Sequence, residues 1–173
     1  MLLNPNFKIR PATITDLHLV KNLYLTVSQN PGGLARTADE ITSEHIDTFT
    51  TKALKTGFQF VAENLEKGKL VAEIHCYKPG PKVFDHILSE LTIAVHPEFQ
   101  SKGIGRLLFD TLLKEIEERR KDILRVELIA RESNKKAISF YQSLGFEIEG
   151  KLLNRIKAET HQFEADIPHG VDE

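Results

Sequence analysis

Apolar residues along the chain recur with two different periods, and the changes of period mark the elements. Phe7-Lys8-Ile9-Arg10 alternates like a short strand that Pro11 stops. Thr15-Asp16 opens a stretch in which Leu17, Val20, Leu23, Tyr24 and Val27 share one helical face, and Asn30-Pro31-Gly32-Gly33 breaks it. A second helix is predicted over 38–55, with Ile41, His45, Phe49 and Leu54 inward and Gly57 as its stop. Alternation returns over 58–63 and 70–76, joined through Glu66-Lys67-Gly68-Lys69, which predicts an antiparallel hairpin. Lys78-Pro79-Gly80-Pro81-Lys82 reads as a loop. A strand over 87–95 then ends at His96-Pro97, and a helix over 105–120 carries Leu107, Leu108, Leu112, Leu113 and Ile116 on one side. A strand over 125–130, a helix over 134–144 closed by Gly145, a strand over 146–152 and a last strand over 162–167 complete the series.

The predicted order is β-α-α-β-β-β-α-β-α-β-β, antiparallel strands first and a strand–helix–strand–helix unit after them. It implies an α/β (α+β) chain with a mixed sheet covered by helices on both faces. Its 173 residues suit one domain with a substantial core, and no repeat or low-complexity tract divides them. Residues 169–173, past Pro168, are expected to be a loose tail.

Composition narrows the classes. The 40% hydrophobic and 28% charged content is ordinary for a globular chain, and the formal net charge of −2 supplies no basic field for nucleic acid or an anionic membrane. A single cysteine, Cys76, excludes an intrachain disulfide and a cysteine-rich zinc site. The first residues lack a basic-then-apolar leader, and no apolar run approaches a membrane span. The expectation is a cytoplasmic protein without a bound metal.

The chemistry concentrates in Val95-His96-Pro97-Glu98-Phe99-Gln100-Ser101-Lys102-Gly103-Ile104-Gly105-Arg106. A strand delivers the chain to a Gly-x-Gly turn, and a helix starts at once. Glycines let backbone N–H groups close on a ligand, and the first N–H groups of a helix lack intrahelical partners while its dipole adds positive charge. That combination suits an anion such as a pyrophosphate, with Lys102 and Arg106 beside it. A plain strand-to-helix turn, with glycines for close packing, explains the same residues. Leu108 stands where a dinucleotide fingerprint needs its third glycine, and Arg106-Leu107 follows Gly105 where a Walker loop needs Lys-Ser/Thr.

The segment from Gln100 to Gly105 resembles the acetyl-CoA signature Q/R-x-x-G-x-G/A of the GNAT N-acetyltransferases. Asn134-Lys135-Lys136-Ala137-Ile138-Ser139-Phe140-Tyr141-Gln142-Ser143-Leu144-Gly145-Phe146 is similar to the second signature of that family, N-x-x-A-x-x-F/L-Y-x-x-x-G-F. The likeness is strongest over 87–150, and the flanking order of elements agrees with it.

The resemblance implies a mixed, largely antiparallel sheet of six to seven strands with about four helices, and direct transfer of an acetyl group from acetyl-CoA, a co-substrate, to a primary amine. It implies that the backbone of Ile93, Ala94 and Val95 holds the pantetheine arm and that Gln100, Ser101, Lys102, Gly103, Ile104, Gly105 and Arg106 hold the pyrophosphate. Asn134 would cap its helix and reach the pantetheine amide, Phe140 would line the cofactor, and Tyr141 would protonate the leaving thiolate. Glu90, at the start of the fourth strand, is the candidate general base; a surface carboxylate paired with a lysine explains it equally. His96 is a second candidate base. Gly32-Gly33 makes the first loop a candidate lid, and Gly103→Val is expected to weaken the cofactor while sparing the fold. Dimers are frequent in the family, which makes a homodimer one implied assembly. A non-catalytic CoA-binding sensor and an ATP- or NAD-binding protein are the competing readings.

Overall fold

The computed structural model describes residues 6–30, 34–157 and 162–172. Twelve regular elements follow one another: β1 Phe7–Pro11, α1 Leu17–Ser28, α2 Ser43–Thr56, β2 Phe58–Asn64, β3 Lys69–Tyr77, β4 Ile87–Val95, α3 Ile104–Arg119, β5 Arg125–Arg131, α4 Lys135–Gln142, β6 Glu147–Ile148, β7 Leu152–Lys157 and β8 Phe163–Asp172. The hydrogen-bonded strand order is β1-β2-β3-β4-β5-β8-β6, with β7 also on β8. Strand β4 pairs β5 in parallel, while β1–β2, β2–β3, β5–β8, β6–β8 and β7–β8 are antiparallel. This is the mixed, largely antiparallel sheet that the sequence implied. Among the described residues no helix is long and apolar enough to cross a membrane.

By its contacts the chain forms two compact units, one of residues up to Tyr77 with Thr92–Lys121, the other of Lys78–Leu91 with Asp122–Glu173. In the first unit β3 is buried on both faces, because α1 and α2 pack on it and so does α3. A register shift between Ala62 and Glu63 interrupts the alternation at Val71, and beyond it Ala72, Ile74 and Cys76 face one side while Glu73, His75 and Tyr77 face the other. Helix α3 supplies Leu108, Phe109, Leu112 and Ile116, all 0% exposed. Gly57 lets β2 begin against β3, since a Cβ there would lie 1.9 Å from the Cys76 carbonyl oxygen. The entry to α1 is tied to β1: Arg10 Nη1 and Nη2 donate to both Asp16 carboxylate oxygens at 2.8 Å, and Thr13 N–H donates to Asp16 Oδ2 at 2.8 Å. That fork holds the Asp16 carboxyl down at about 2.

Helix α2 starts later than predicted. Residues 38–40 form a separate 3-10 turn, Ile41 leaves helical geometry, and Thr42 caps α2 by accepting the His45 N–H at 3.1 Å. The new start changes the phase: Ile46, Phe49, Thr50 and Ala53 face inward, and Leu54 is 46% exposed. The lid expected at Gly32-Gly33 lies outside the described residues.

In the second unit β8 corrects two readings. The predicted strand over 146–152 divides into β6 and β7 around residues 149–151, and β8 runs through Pro168 to Asp172. Residues 169–172 are therefore strand, with His169 1% exposed and Val171 paired with Val126. Proline lacks the N–H that a ladder uses, so a strand tolerates it only where its partner offers no acceptor. Pro168 meets that condition: β6 pairs as far as Ile148↔His169, β7 resumes at Leu152↔Asp166, and the break between them faces the proline. The Glu149 N–H still uses the Pro168 carbonyl, at 3.0 Å.

Candidate active site

The glycine loop belongs to the first unit. Pro97–Phe99 forms a 3-10 turn, and the Gln100 side chain folds back so that Nε2 donates to the Val95 carbonyl at 3.2 Å. Ser101 and Gly103 are both left-handed, with φ of 60° and 82°, and α3 starts at Ile104. Leu107 is the first residue of α3 to donate within the helix, to the Gly103 carbonyl at 3.1 Å. The N–H groups of Ile104 and Gly105 point beyond the helix end, where they have no intrahelical acceptor. Gly105 rests on β4: a Cβ there would meet Ile93 Cδ1 at 3.6 Å and Val95 Cγ2 at 3.7 Å. Two left-handed residues ahead of a helix start make a concave donor surface for an anion. Lys102 places Nζ 5.0 Å above the Phe99 ring, and Arg106 is exposed with Asp110 one turn on, at 3.9 Å.

The left-handed backbone at Gly103 alters one expectation. Valine is β-branched and resists that conformation, so Gly103→Val perturbs the fold as well as the loop.

Ala94 is 1% exposed and joins a buried cluster with Tyr24, Phe49 and Val61, while Ile93 and Val95 are half-buried on its flanks. The same cluster surrounds a polar group that sequence reasoning missed. Glu73, 0% exposed, accepts from Tyr24 Oη–H at 2.7 Å, from Gln59 Nε2 at 2.9 Å and from His75 Nδ1 at 3.0 Å. Burial first, and then the Glu73 charge, pushes the Tyr24 phenol well above its ordinary range, so it stays a donor. The signal was a Glu and a His two positions apart on an otherwise apolar strand. Burial likewise pushes the Cys76 thiol up to about 12, which fits a packing residue rather than a nucleophile.

In the second unit the β4–β5 ladder has only the pairs Ile87↔Arg125 and Leu88↔Val126. Two residues later Glu90 is exposed with φ of 54°, a left-handed residue inside a strand. That is the local signature of a bulge, which ends pairing and re-aims the chain.

Asn134 caps α4, its Oδ1 accepting the Ala137 N–H at 3.1 Å, which leaves Nδ2 to reach a ligand. Phe140 and Tyr141 are half-buried neighbours with ring centroids 5.8 Å apart. Tyr141 packs beside Ile138, Ala165 and Ile167, edge-on to His169 at 5.9 Å and to Phe146 at 6.4 Å. Burial pushes its phenol up to about 12, which keeps it protonated at neutral pH. His169 Nδ1 donates to the Ile167 carbonyl at 2.8 Å, and its buried Nε2 has no hydrogen-bond partner among the described residues. A tail expected to be loose thus supplies part of the Tyr141 surroundings. His96 accepts the Glu98 N–H on Nδ1 at 3.3 Å, as a turn residue does.

The profile of the GNAT acetyltransferase domain matches residues 55–148, so the chain belongs to that family. It is 44% identical over 63 residues to the [ribosomal protein bS18]-alanine N-acetyltransferase of Salmonella typhimurium, a match covering 35% of this chain and 41% of that protein; the Escherichia coli K12 counterpart gives the same values. The chain therefore spans about two-fifths of the length of the curated relatives it matches. Among solved structures, a GNAT-family acetyltransferase from Streptococcus pneumoniae superposes with a TM-score of 0.85 at 23% identity, covering 96% of this chain and 99% of its own. The Salmonella typhimurium yncA protein, solved with its cofactor acetyl-CoA, gives a TM-score of 0.81 at 18% identity, covering 96% and 94%. At those identities the likeness is one of fold.

Proposed function

We propose that the chain is an N-acetyltransferase that passes the acetyl group of acetyl-CoA directly to a primary amine, on a small molecule or a protein N-terminus. The observation that carries the reading is the loop of residues 100–106. Its left-handed Ser101 and Gly103 precede the start of α3, and Gly105 seats that start against Ile93 and Val95. The pyrophosphate of CoA suits those N–H groups together with Lys102 and Arg106, and the backbone of Ile93, Ala94 and Val95 is assigned to the pantetheine arm. Asn134 offers Nδ2 to the same arm, and Phe140 lines it. Tyr141 donates its proton to the departing thiolate; a phenol held protonated by burial has the state this step requires. Glu90 offers an exposed carboxylate to the incoming ammonium and is the base that the sequence nominates. The relatives named [ribosomal protein bS18]-alanine N-acetyltransferase support keeping a protein amine in the acceptor set.

Calorimetric titration with acetyl-CoA, ATP and NAD tests the donor. Micromolar acetyl-CoA binding with weak ATP and NAD binding supports the reading, and preference for ATP or NAD overturns it. Tight CoA binding without amine-dependent release would instead favour a sensor.

A further inference from the structure

The group around Glu73 has the form of a carboxylate–imidazole dyad. We propose that His75, oriented by Glu73, is the general base that takes the proton of the acceptor ammonium. The proposal rests on the acetyltransferase reading above and names the residue that deprotonates its second substrate.

The geometry fixes the roles. Glu73 is wholly buried and accepts from three sides, through Tyr24, Gln59 and His75. Because a carboxylate only accepts, the 3.0 Å contact makes Nδ1 the donor and leaves the lone pair of the neutral ring on Nε2. Phe49 stacks on the imidazole at 4.1 Å and 9°, which locks the plane of the ring. A buried carboxylate that fixes the tautomer and orientation of an imidazole is the arrangement by which hydrolytic triads position their histidine base. Among the described residues Nε2 makes no hydrogen bond, and 5% of the side chain remains exposed, so it can reach an amine directly or through one water.

Position supports the same role. Strand β3 neighbours β4, and the His96 N–H donates to the Val71 carbonyl at 2.8 Å. Ala94, whose backbone is assigned to pantetheine, shares one buried cluster with Tyr24 and with Phe49, the ring stacked on His75.

The step balances. The ammonium gives one proton to His75 Nε2, the amine nitrogen forms its bond to the thioester carbonyl carbon, and the carbon–sulfur bond breaks with its electron pair on sulfur. The thiolate is protonated at the expense of the second proton on the amide nitrogen, giving the free thiol and the neutral amide. The imidazolium returns its proton to solvent.

The titratable groups around His75 are Tyr24 on α1, His45 on α2, and Glu73 and Tyr77 on β3; β2 contributes the neutral Gln59. Lys52 adds a fixed charge 5.4 Å from the Tyr77 ring. Burial first, and then the Arg36 charge, lowers the His45 imidazole from its ordinary value; His45→Gln is the control for this neighbouring titratable ring.

The test is the pH dependence of kcat/KM for CoA release with the best acceptor amine, together with calorimetric acetyl-CoA affinity. The set is wild type, His75→Asn, Glu73→Gln, Glu90→Gln and His45→Gln. His75→Asn keeps a donor for Glu73 and lacks a base. It is expected to lose about 10²–10³-fold in kcat/KM, to lose the acid limb, and to bind acetyl-CoA as wild type does. In Glu73→Gln, which no longer presents a carboxylate to orient Nδ1, kcat/KM should fall by about 10-fold or more with acetyl-CoA affinity unchanged. His45→Gln should keep the limb, and Glu90→Gln sets the base that the sequence nominates against His75.

A folded His75→Asn with the limb intact and kcat/KM within about threefold of wild type overturns the proposal, as does loss of the limb in Glu90→Gln alone; both leave the acetyltransferase reading standing. Should His75→Asn fail to fold, a folded Glu73→Gln with kcat/KM within about threefold of wild type overturns it. Wild type that turns over no amine removes the acetyltransferase reading and this proposal together.

Discussion

Replacing Asp16 with asparagine removes one buried charge from the joint between β1 and α1 and leaves the shape of the side chain. In the native chain the Arg10 fork and the Thr13 N–H hold the Asp16 carboxyl at about 2, against 3.8 for the free side chain. A lowering of a little under two units corresponds to about 2 kcal/mol of folding stability. Because the folded value lies below the unfolded one, that contribution is complete above about pH 4 to 5 and disappears as the pH falls toward 2. Urea unfolding of wild type and Asp16→Asn at pH 7 should therefore differ by about 2 kcal/mol, equivalent to a Tm lower by about 4–8 °C in a chain of this size. The two curves should converge near pH 2. A difference under about 0.5 kcal/mol at pH 7, or one that persists undiminished at pH 2, would refute the reasoning. The joint also has a functional reach, since α1 brings Tyr24 to Glu73.

Four further outcomes follow from the same geometry. Gly105→Ala should fold at least as well as wild type, because its Cβ meets Ile93 and Val95 at ordinary contact distances and alanine favours a helix by about 1 kcal/mol; thermal unfolding and acetyl-CoA titration check it. Gly103→Val should lose about 1–2 kcal/mol or more of stability along with cofactor affinity, and a variant with wild-type stability would show that the turn is not left-handed in solution. Tyr141→Phe should lower kcat by about 10²-fold with little change in acetyl-CoA affinity, and an unchanged kcat would remove Tyr141 from the thiolate step. Cys76 is 0% exposed with its thiol pushed up to about 12, so a disulfide reagent should label it only on unfolding; the reagent then reports CoA thiol cleanly, and prompt labelling of the native chain would contradict the burial.

The legible parts of the sequence were those set by local rules. The period-two runs gave β2, β3, β4 and β5, and the helical face of Leu108, Leu112 and Ile116 gave α3. The strand, Gly-x-Gly and helix start gave the loop at residues 100–106. The phase of α2 was not legible, because Ile41 is buried from outside the helix and mimics its first inward position. Strand β8 beyond Pro168 was not legible either: the proline is tolerated only because β6 and β7 break opposite it, a fact about two other segments. His75 shows the limit most clearly. Its neighbour Gln59 comes from the β2–β3 register, Tyr24 from α1 and Phe49 from α2, so its setting exists only after three elements have packed. Glu90, by contrast, was placed correctly on β4, but its left-handed backbone and its exposure are features of the folded strand.

The measurement that bears most directly on the central claim is CoA thiol release from acetyl-CoA over a panel of primary amines and alanine-ended peptides, with the acceptor followed by mass spectrometry. The expected result is amine-dependent release with one acetyl group gained by the acceptor for each thiol formed. Release that no amine accelerates, with every acceptor recovered unmodified, would contradict it.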